Sequence, residues 1–456
     1  MKTKISMPKQ AEFIINKLNH FGHNAYIVGG AVRNSFLNLP VKDWDICTSA
    51  TPEEVAKIFR NEKVIATGLQ HGTLTVLLND MPIEITTFRI DGKYSDGRRP
   101  DSVEFTDDLI EDLSRRDFTI NAMAYNDEEG LIDPFGGYDD LQNKTIRCVG
   151  NPNERFQEDA LRMLRALRFN VELGFPNSEK TMKAIHKNYR LLANVSAERI
   201  QGELNRILTT DNTFVVFSNY PDLFSFILPE LKPCIGFNQN NPWHIYDVYN
   251  HTVEALLNCP SKDLITRLSV LFHDIGKPNS YTEDEKGIGH FPNHGKESFR
   301  LTNKIMRRLR YDNDTREKVI ELVKYHDAEI EPTRKSVLRW LNRVSEEQFR
   351  RLLDIRESDI KAQNPEFAKE RLEKLSKIKE ILEQVLEEQH CFTLKDLAVD
   401  GQDLIELGFT PGKEFGIILG TLLNEVLDET LPNDKETLLD YVKDNFEMPL
   451  TQQLSK

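Results

Sequence analysis

Cysteine is scarce and scattered. The 456 residues hold five (Cys47, Cys148, Cys234, Cys259 and Cys391), an odd number with no CxxC pair. That usage excludes a disulfide framework and a cysteine zinc site, and it fits a reducing, cytoplasmic compartment. Long apolar runs are missing too. None approaches the roughly 20 residues that a membrane span needs, so no membrane partner is expected. The amino end, MKTKISMPKQAEFIINKLNHFG, has neither an uninterrupted apolar core nor a small-residue cleavage site. Its Phe13, Ile14, Leu18 and Phe21 predict an amphipathic helix over 8–21 instead of a signal peptide. Positive charge is in deficit as well. A net charge of −14 excludes a uniformly basic nucleic-acid binder. One segment runs the other way: residues 147–206 carry 11 Lys/Arg against 7 Asp/Glu, which marks them as a polyanion-facing surface. Repeats and low-complexity tracts are not found.

What is there is a soluble globular profile, 29% charged and 39% apolar, in a chain long enough for several domains. Short β-branched runs, AYIV within 24–30 and TLTVLL and IEITTF within 73–90, predict strands after the first helix. Residues 91–106, DGKYSDGRRPDSVEFT, predict a mobile loop, 109–126 a helix, and DPFGGYDDL at 133–141 a turn. From about 154 the apolar spacing is helical to the end. Leu372, Leu375, Ile378, Leu382, Val385 and Leu386 trace one such face among Lys and Glu, as in a bundle helix. TPG at 410–412 and LPND at 431–434 punctuate the tail. The expected fold class is α+β: a mixed-sheet head over 1–150, then an all-α neck (151–220), body (221–335) and tail (336–456).

The stretch YIVGGAVRNSFLNLPVKDWDICT at 26–48 poses the chemical question. Paired glycines after a strand let the backbone approach a bulky anion, with helix-start amides facing it. Arg33 follows Gly29 and Gly30 by about one turn and suits a phosphate oxygen. Asp43 and Asp45 are two apart, so in an extended segment both point to one face. Hard oxygen donors there suit Mg²⁺ that also contacts substrate phosphates. Glu84, on IEITTF, is a third candidate carboxylate. A DxD alone is equally a surface turn. The ordered set of strand, GG, Arg, DxD and a later Glu-bearing strand resembles the nucleotidyltransferase superfamily typified by polymerase β.

Further motifs narrow the resemblance. RRDFTINAMAYN at 115–126 offers Arg116, Asp117 and Asn121 near an expected helix start, a set suited to ribose hydroxyls and phosphate. With GGAVRN, DWDICTSATPEE, DPFGGYDDL, EDALRMLRALRF and VSAERIQGELNRIL, it makes residues 24–208 resemble the bacterial class II tRNA nucleotidyltransferases, or CCA-adding enzymes. That family shares its head and neck with bacterial poly(A) polymerases. The resemblance implies template-independent addition of C, C and A to the tRNA 3′ end, from CTP and ATP, by two-metal nucleotidyl transfer with release of pyrophosphate. Asp43 and Asp45 would hold Mg²⁺, with Glu84 assisting.

The residues carry the same idea. Asp159, Arg162, Arg165 and Arg168 recur every third position, a polar stripe if the segment is helical. Cytosine and adenine each place an exocyclic amine beside a ring-nitrogen acceptor. A carboxylate accepts from the first and a guanidinium donates to the second. Uracil and guanine present the opposite polarity and would leave both groups mispaired. Asp159 and Arg162 therefore suit selection of C and A, and Arg165 and Arg168 suit the triphosphate. The alternative for the stripe is a solvated face with an Asp159–Arg162 ion pair. The loop DGKYSDGRRP resembles the family's flexible loop, linked to the switch towards adding A. A poly(A) polymerase or an enzyme adding only the last A stays open as an alternative.

The second half is rich in histidine. HIYDVYNHT, VLFHDIGKP, HFPNH and KYHD resemble an HD domain, a helical metal-dependent phosphohydrolase fold. His251, His273 and Asp274 match its signature, and His294, His326 and Asp327 are further candidate ligands for a divalent or transition metal. Hydrolysis, metal binding without turnover, and a purely structural body stay open. So does a different class of protein, an HD phosphohydrolase whose head merely binds nucleotide. Residues 331–456, with LAVDGQDLIELGFTPGKEFG at 397–416, resemble the tail of CCA-adding enzymes that carry such a domain. They are expected to hold tRNA by shape and backbone contacts.

Overall fold

Every residue of AYIV is buried, which is why the run shows no polar alternation: this strand is covered on both faces. The computed structural model describes residues 4–69, 72–92, 102–388 and 393–447. They form two compact units, Met1–Lys232 with Arg308–Arg310, and Pro233–Arg307 with Tyr311–Lys456.

The first unit opens with α1 (Lys9–His20), β1 (Ala25–Val28), α2 (Gly30–Phe36), β2 (Ile46–Thr48), α3 (Pro52–Ile58), β3 (Lys63–Gly68), β4 (Thr73–Leu78) and β5 (Met81–Thr87). It continues through β6 (Arg89–Asp91), β7 (Val103–Phe105), α4 (Leu109–Ser114), β8 (Ala124–Asn126), β9 (Gly130–Ile132) and α5 (Gly137–Gln142). Seven strands make one mixed sheet in the order β3-β4-β5-β2-β1-β8-β9. Only β2 and β5 run parallel, with Ile46 opposite Ile85. Tyr26, Val28, Cys47, Phe88, Leu113, Ala122, Ala124 and Val149 form a core cluster. Thr51 and Glu54 close a reciprocal capping box that starts α3. Six α-helices follow among the described residues: α6 (Pro152–Glu158), α7 (Leu161–Leu173), α8 (Glu179–Asn188), α9 (Ala197–Leu208), α10 (Thr213–Asn219) and α11 (Pro221–Ile227).

The second unit is helical: α12 (Val248–Leu257), α13 (Leu264–Phe272), α14 (Lys277–Ser280), α15 (His294–Arg308), α16 (Asn313–Tyr325), α17 (Arg334–Val344), α18 (Glu346–Lys361), α19 (Pro365–Glu387), α20 (Gly401–Glu406), α21 (Lys413–Leu427) and α22 (Lys435–Asn445). A two-stranded hairpin, β10 (Thr282–Glu283) and β11 (Gly289–His290), interrupts it. Among the described residues no helix is long and apolar enough to cross a membrane.

The α+β architecture and the strands at AYIV, TLTVLL and IEITTF match expectation, and α19 buries Leu375, Ile378, Leu382 and Val385 as its spacing predicts. Four local expectations are corrected. Residues 109–126 are a short helix, a 3-10 turn at Thr119–Asn121 and β8, because FTINAMAY is apolar on all sides and carries no usable period. α1 buries Ala11, Ile14, Ile15 and Leu18, leaving Phe13 and Phe21 exposed. The ends of the 91–106 segment pair as β6 and β7, with Asp91 opposite Val103; its middle, 93–101, lies outside the described residues, as does most of the loop DGKYSDGRRP. Helix is not unbroken after 154, since β10 and β11 intervene. Cys47, Cys148, Cys234 and Cys259 are buried and in no disulfide among the described residues, while Cys391 lies outside the described residues.

Candidate functional site

Strand β1 ends at Val28, and the chain must turn at once into α2. Gly29 makes that turn at φ +67° and ψ −126°, a combination only glycine adopts without strain. A Cβ there would also sit 3.2 Å from Nη1 of Arg116, so the missing side chain is what admits the guanidinium. Next to this turn, the Val28 amide donates to the Asp45 carbonyl at 3.0 Å, extending the β1–β2 ladder to the second aspartate. Glu84 comes alongside because it precedes Ile85, the partner of Ile46. Burial raises the pKa of the Asp45 carboxyl, and the neighbouring Glu84 and Asp43 add to the effect, against Arg116. The three carboxylates thus share one electrostatic environment that a cation would relieve. Their ligand atoms do not converge into a tight cluster. Asp43 and Glu84 stay exposed.

A cleft of about 490 Å³ opens beside them. Gly29, Gly30, Arg33, Asp45, Arg116, Asp117, Asn121, Asp159, Arg162, Arg165 and Arg168 all line it. The structure therefore gathers every sequence-predicted nucleotide residue into one cavity, with Asp43 and Glu84 outside its lining. Arg115, Arg199, Arg206, Leu161 and Phe169 complete the wall. Eight arginines face three aspartates there, a strongly positive cavity inside an acidic protein.

Each cation is held from behind. Asp112, fully buried, accepts from Arg115 at 2.6 Å and from Arg116 at 3.2 Å. Burial works against its charge, yet those two guanidiniums keep its pKa below the ordinary carboxylate range. Asp117 accepts from the Phe118 amide (2.8 Å), Asn121 (3.0 Å) and Arg165 (2.8 Å). Burial again opposes ionisation, but Arg165 and Asn121 hold the carboxyl at about 2. Arg33 donates to Asn121 at 2.5 Å. The Phe169 ring lies under Arg33 (4.9 Å) and Arg168 (4.1 Å), a cation–π floor. Arg116, Asp117 and Asn121 were expected near a helix start. Arg116 and Asp117 lie instead between α4 and the 3-10 turn, and Asn121 ends that turn, with Asp117 as the knot of the network.

The stripe of every-third residues is corrected as well. Asp159 is not on the helix with its arginines. It occupies the break between α6 and α7 at φ −143°, ψ 104°. There it caps α7 by accepting from the Leu161 amide at 3.1 Å. Its ion-pair partner is Arg199, at 2.7 Å, while Arg162 pairs with Glu158 at 2.5 Å. The Asp159–Arg162 pair of the alternative reading gives way to these two pairings, because the break turns the residues to different partners. Arg199, Glu203 and Arg206 escaped sequence reasoning, although their spacing of three and four along α9 puts them on one face.

The second unit carries its own centre. His273 and His326 are the C-cap residues of α13 and α16, where carbonyls lack helical partners. Each ring turns Nδ1–H onto the carbonyl three residues back, Val270 (2.7 Å) and Val323 (2.8 Å). His294 does the same to Phe291 (2.9 Å), and His251 donates to Ala362 (3.3 Å). A carbonyl only accepts, so all four rings carry a proton on Nδ1, which leaves the Nε2 atoms as the lone-pair donors of the neutral rings. These converge: His251 and His273 meet at 3.3 Å, His294 and His326 at 3.1 Å. Asp274, buried, faces the first pair with Oδ2 (3.3 and 3.2 Å) and the second with Oδ1 (3.4 and 3.5 Å).

Asp359 joins the first group, its Oδ1 3.0 Å from His251. Asp274 Oδ2 makes no regular hydrogen bond, although Lys277 lies 2.7 Å away. Imidazole nitrogens and carboxylate oxygens converging in this way fit a metal ion. Asp327 is not drawn in. Its side chain is 66% exposed on the loop after α16 and 4.0 Å from His294. Asp359 stands in the group in place of Asp327, and nothing in RESDIKAQ marks that residue locally. His244, pushed down to about 3 by burial and Lys277, stays neutral at the mouth of this 210 Å³ cavity.

Three family models match the chain: the poly A polymerase head domain over 25–147, the "Probable RNA and SrmB- binding site of polymerase A" over 174–235, and tRNA nucleotidyltransferase domain 2 over 298–442. The CCA-adding enzyme of Enterococcus faecalis is 50% identical over 200 residues, 44% of this chain and 49% of its own length. That of Ligilactobacillus salivarius is 46% identical over 238 residues, 50% of this chain and 58% of its own. Over these segments the chain is similar to poly(A) polymerases and CCA-adding enzymes. It spans about half the length of the curated relatives it matches. The CCA-adding enzyme of Bacillus stearothermophilus in complex with CTP superposes with a TM-score of 0.71 at 27% identity, over 96% of this chain and 98% of that one. The Thermotoga maritima CCA-adding enzyme complexed with tRNA shares the fold, with a TM-score of 0.62 at 20% identity, over 97% of each chain. A nucleotidyltransferase of this family uses divalent metal, and the head carboxylates fit that need.

Proposed function

We propose that the chain adds C, C and A to tRNA 3′ ends, drawing on CTP and ATP and releasing pyrophosphate. The observation that carries this reading is the single cleft in which Asp159 and Arg162 stand with the arginines of α7, beside Asp45. Asp159 accepts from the exocyclic amine of cytosine or adenine, and Arg162 donates to the ring nitrogen. Arg33, Arg165 and Arg168 neutralise and align the triphosphate. Arg116 and Asn121 contact its ribose end, and Gly29 and Gly30 keep that approach clear of side chains. Asp43 and Asp45, assisted by Glu84, would hold Mg²⁺, which supplies charge neutralisation at the reacting phosphate. Helical tail residues hold the tRNA by shape. The likeness to a CTP-bound relative supports this reading.

For the second unit, the four Nε2 atoms around Asp274 favour a bound divalent or transition metal, with His251, His273, Asp274 and Asp359 as ligands and His294 and His326 beside them. Hydrolysis of a phosphate ester is the chemistry such a centre suits.

Purified protein is incubated with tRNA ending at the discriminator base, tRNA-C and tRNA-CC, each with one labelled triphosphate at a time. CMP incorporation into the first substrate is expected. AMP added only to tRNA-CC overturns full CCA addition in favour of A addition, and long A tails favour a poly(A) polymerase.

A further inference from the structure

Base selection by a carboxylate and a guanidinium works only if both are held still. Uracil and guanine are rejected because a carbonyl oxygen would face the Asp159 carboxylate. A carboxylate free to swing away would escape that repulsion and lose the discrimination. Asp159 lies in a break between helices; its backbone is bonded to Arg155 (3.3 Å) and Arg162 (3.0 Å), but on its own segment only the Leu161 amide holds the carboxylate. The restraint comes from α9. Arg199 meets the carboxylate with two parallel bonds, Nη1 to Oδ1 at 3.2 Å and Nη2 to Oδ2 at 2.7 Å. Two-pronged contact of this kind fixes the plane of the group as well as its position.

The acceptor count then becomes informative. A carboxylate offers roughly four acceptor positions. On Asp159 the Leu161 amide and Arg199 Nη1 share Oδ1, and Arg199 Nη2 takes one position on Oδ2. A position on Oδ2 is left for a base amine.

The same helix braces the phosphate side. Glu203, one turn beyond Arg199, accepts from Arg168 Nε at 2.6 Å. Arg206, another turn on, pairs at 3.2 Å with Glu172, which itself accepts from Arg168 at 2.6 Å. Arg199 and Arg206 both line the cleft. One face of α9 therefore sets the geometry of the base end and the triphosphate end together.

We propose that Arg199 is a specificity-determining positioning residue, which locks the plane of Asp159 so that amine-bearing bases are accepted and carbonyl-bearing bases refused. This rests on the nucleotidyltransferase reading above. Arg199→Met keeps the aliphatic stem and removes the fork, and Arg199→Lys keeps the charge with a single point of contact. Single-turnover incorporation of CMP, UMP, AMP and GMP is measured for each variant on tRNA acceptors, alongside a thermal melt. The expected result for Arg199→Met is a fall in the C-over-U and A-over-G ratios on the order of tenfold, the scale of one well-made hydrogen bond. Arg199→Lys is expected to fall between the variant and the native protein. A merely structural Arg199 would slow all four nucleotides in proportion, and unchanged ratios in a folded Met variant overturn the proposal. If the Met variant does not fold, native ratios in the Lys variant overturn it. Native protein that incorporates no nucleotide at all sinks the nucleotidyltransferase reading itself, a different failure from selective native protein with an equally selective variant.

Discussion

Asp117 shows what one buried charge does for this head. It ties the Phe118 amide, Asn121 and Arg165 together, and its carboxyl is held down at about 2. A group whose folded pKa lies below its unfolded value stabilises the fold above the unfolded pKa and loses that contribution as pH falls through the folded one. Here the window runs from about 4 down to about 2. Asp117→Asn is expected to cost about 2 kcal/mol at neutral pH. The gap to the native protein should close as urea titrations are repeated from pH 5 towards pH 2. A constant gap across that range would show that the charge is not the cause. At this scale the sequence was most legible. Residues 26–48 announced their chemistry because glycine, arginine and aspartate are rarely set together without a backbone or charge requirement. Asp112 was not legible, since a buried carboxylate behind a cleft reads like any helical acid until its partners are seen.

Among elements, α9 has two kinds of face. Ile200, Leu204, Ile207 and Leu208 are buried, while Arg199, Glu203 and Arg206 reach into the cleft network of α7. Leu204 has no exposed surface, so Leu204→Ala should lose about 2–5 kcal/mol of stability through transfer and cavity terms. Because α9 carries the cleft's braces, the variant is also expected to show a raised KM for CTP at temperatures where it stays folded. Steady-state kinetics beside a denaturant titration checks both. Periodicity found this helix and its apolar side. It failed at α6 and α7, where polar residues continue every third position straight through a break. Spacing records side-chain pattern, and the break is made by Asp159 capping the next helix, a hydrogen bond that spacing does not encode. It also missed β8 and β9, whose short apolar residues are buried without alternation or lie half-buried at a sheet edge.

At the scale of the whole molecule, two units each complete their own centre. The cleft residues fall between Gly29 and Arg206, and the histidine cluster between His251 and Asp359. The two chemistries should therefore separate by mutation. Asp43→Ala with Asp45→Ala is expected to abolish nucleotide addition while leaving the metal content of the second unit intact. His273→Ala with Asp274→Ala should remove that metal and any phosphatase activity, with CMP addition retained. Metal analysis of purified protein before and after chelation, together with both assays, decides it. Loss of nucleotide addition in the histidine variant with the fold intact would show that the two units act as one.

The amino-acid sequence alone determined the class of fold, the strands at AYIV, TLTVLL and IEITTF, and most of the residues that meet in the cleft. Those features are local: turns, periods and short motifs are written in neighbouring residues. Only the tertiary structure decided that Arg199 holds Asp159, that Asp112 stands behind Arg115 and Arg116, and that Asp359 and not Asp327 completes the histidine centre. Each of these is a partner choice. In the cases of Arg199 and Asp359 the partners are far apart in the chain, and which buried charge finds which counter-charge is settled by packing, where an unpaired one would be too costly to keep.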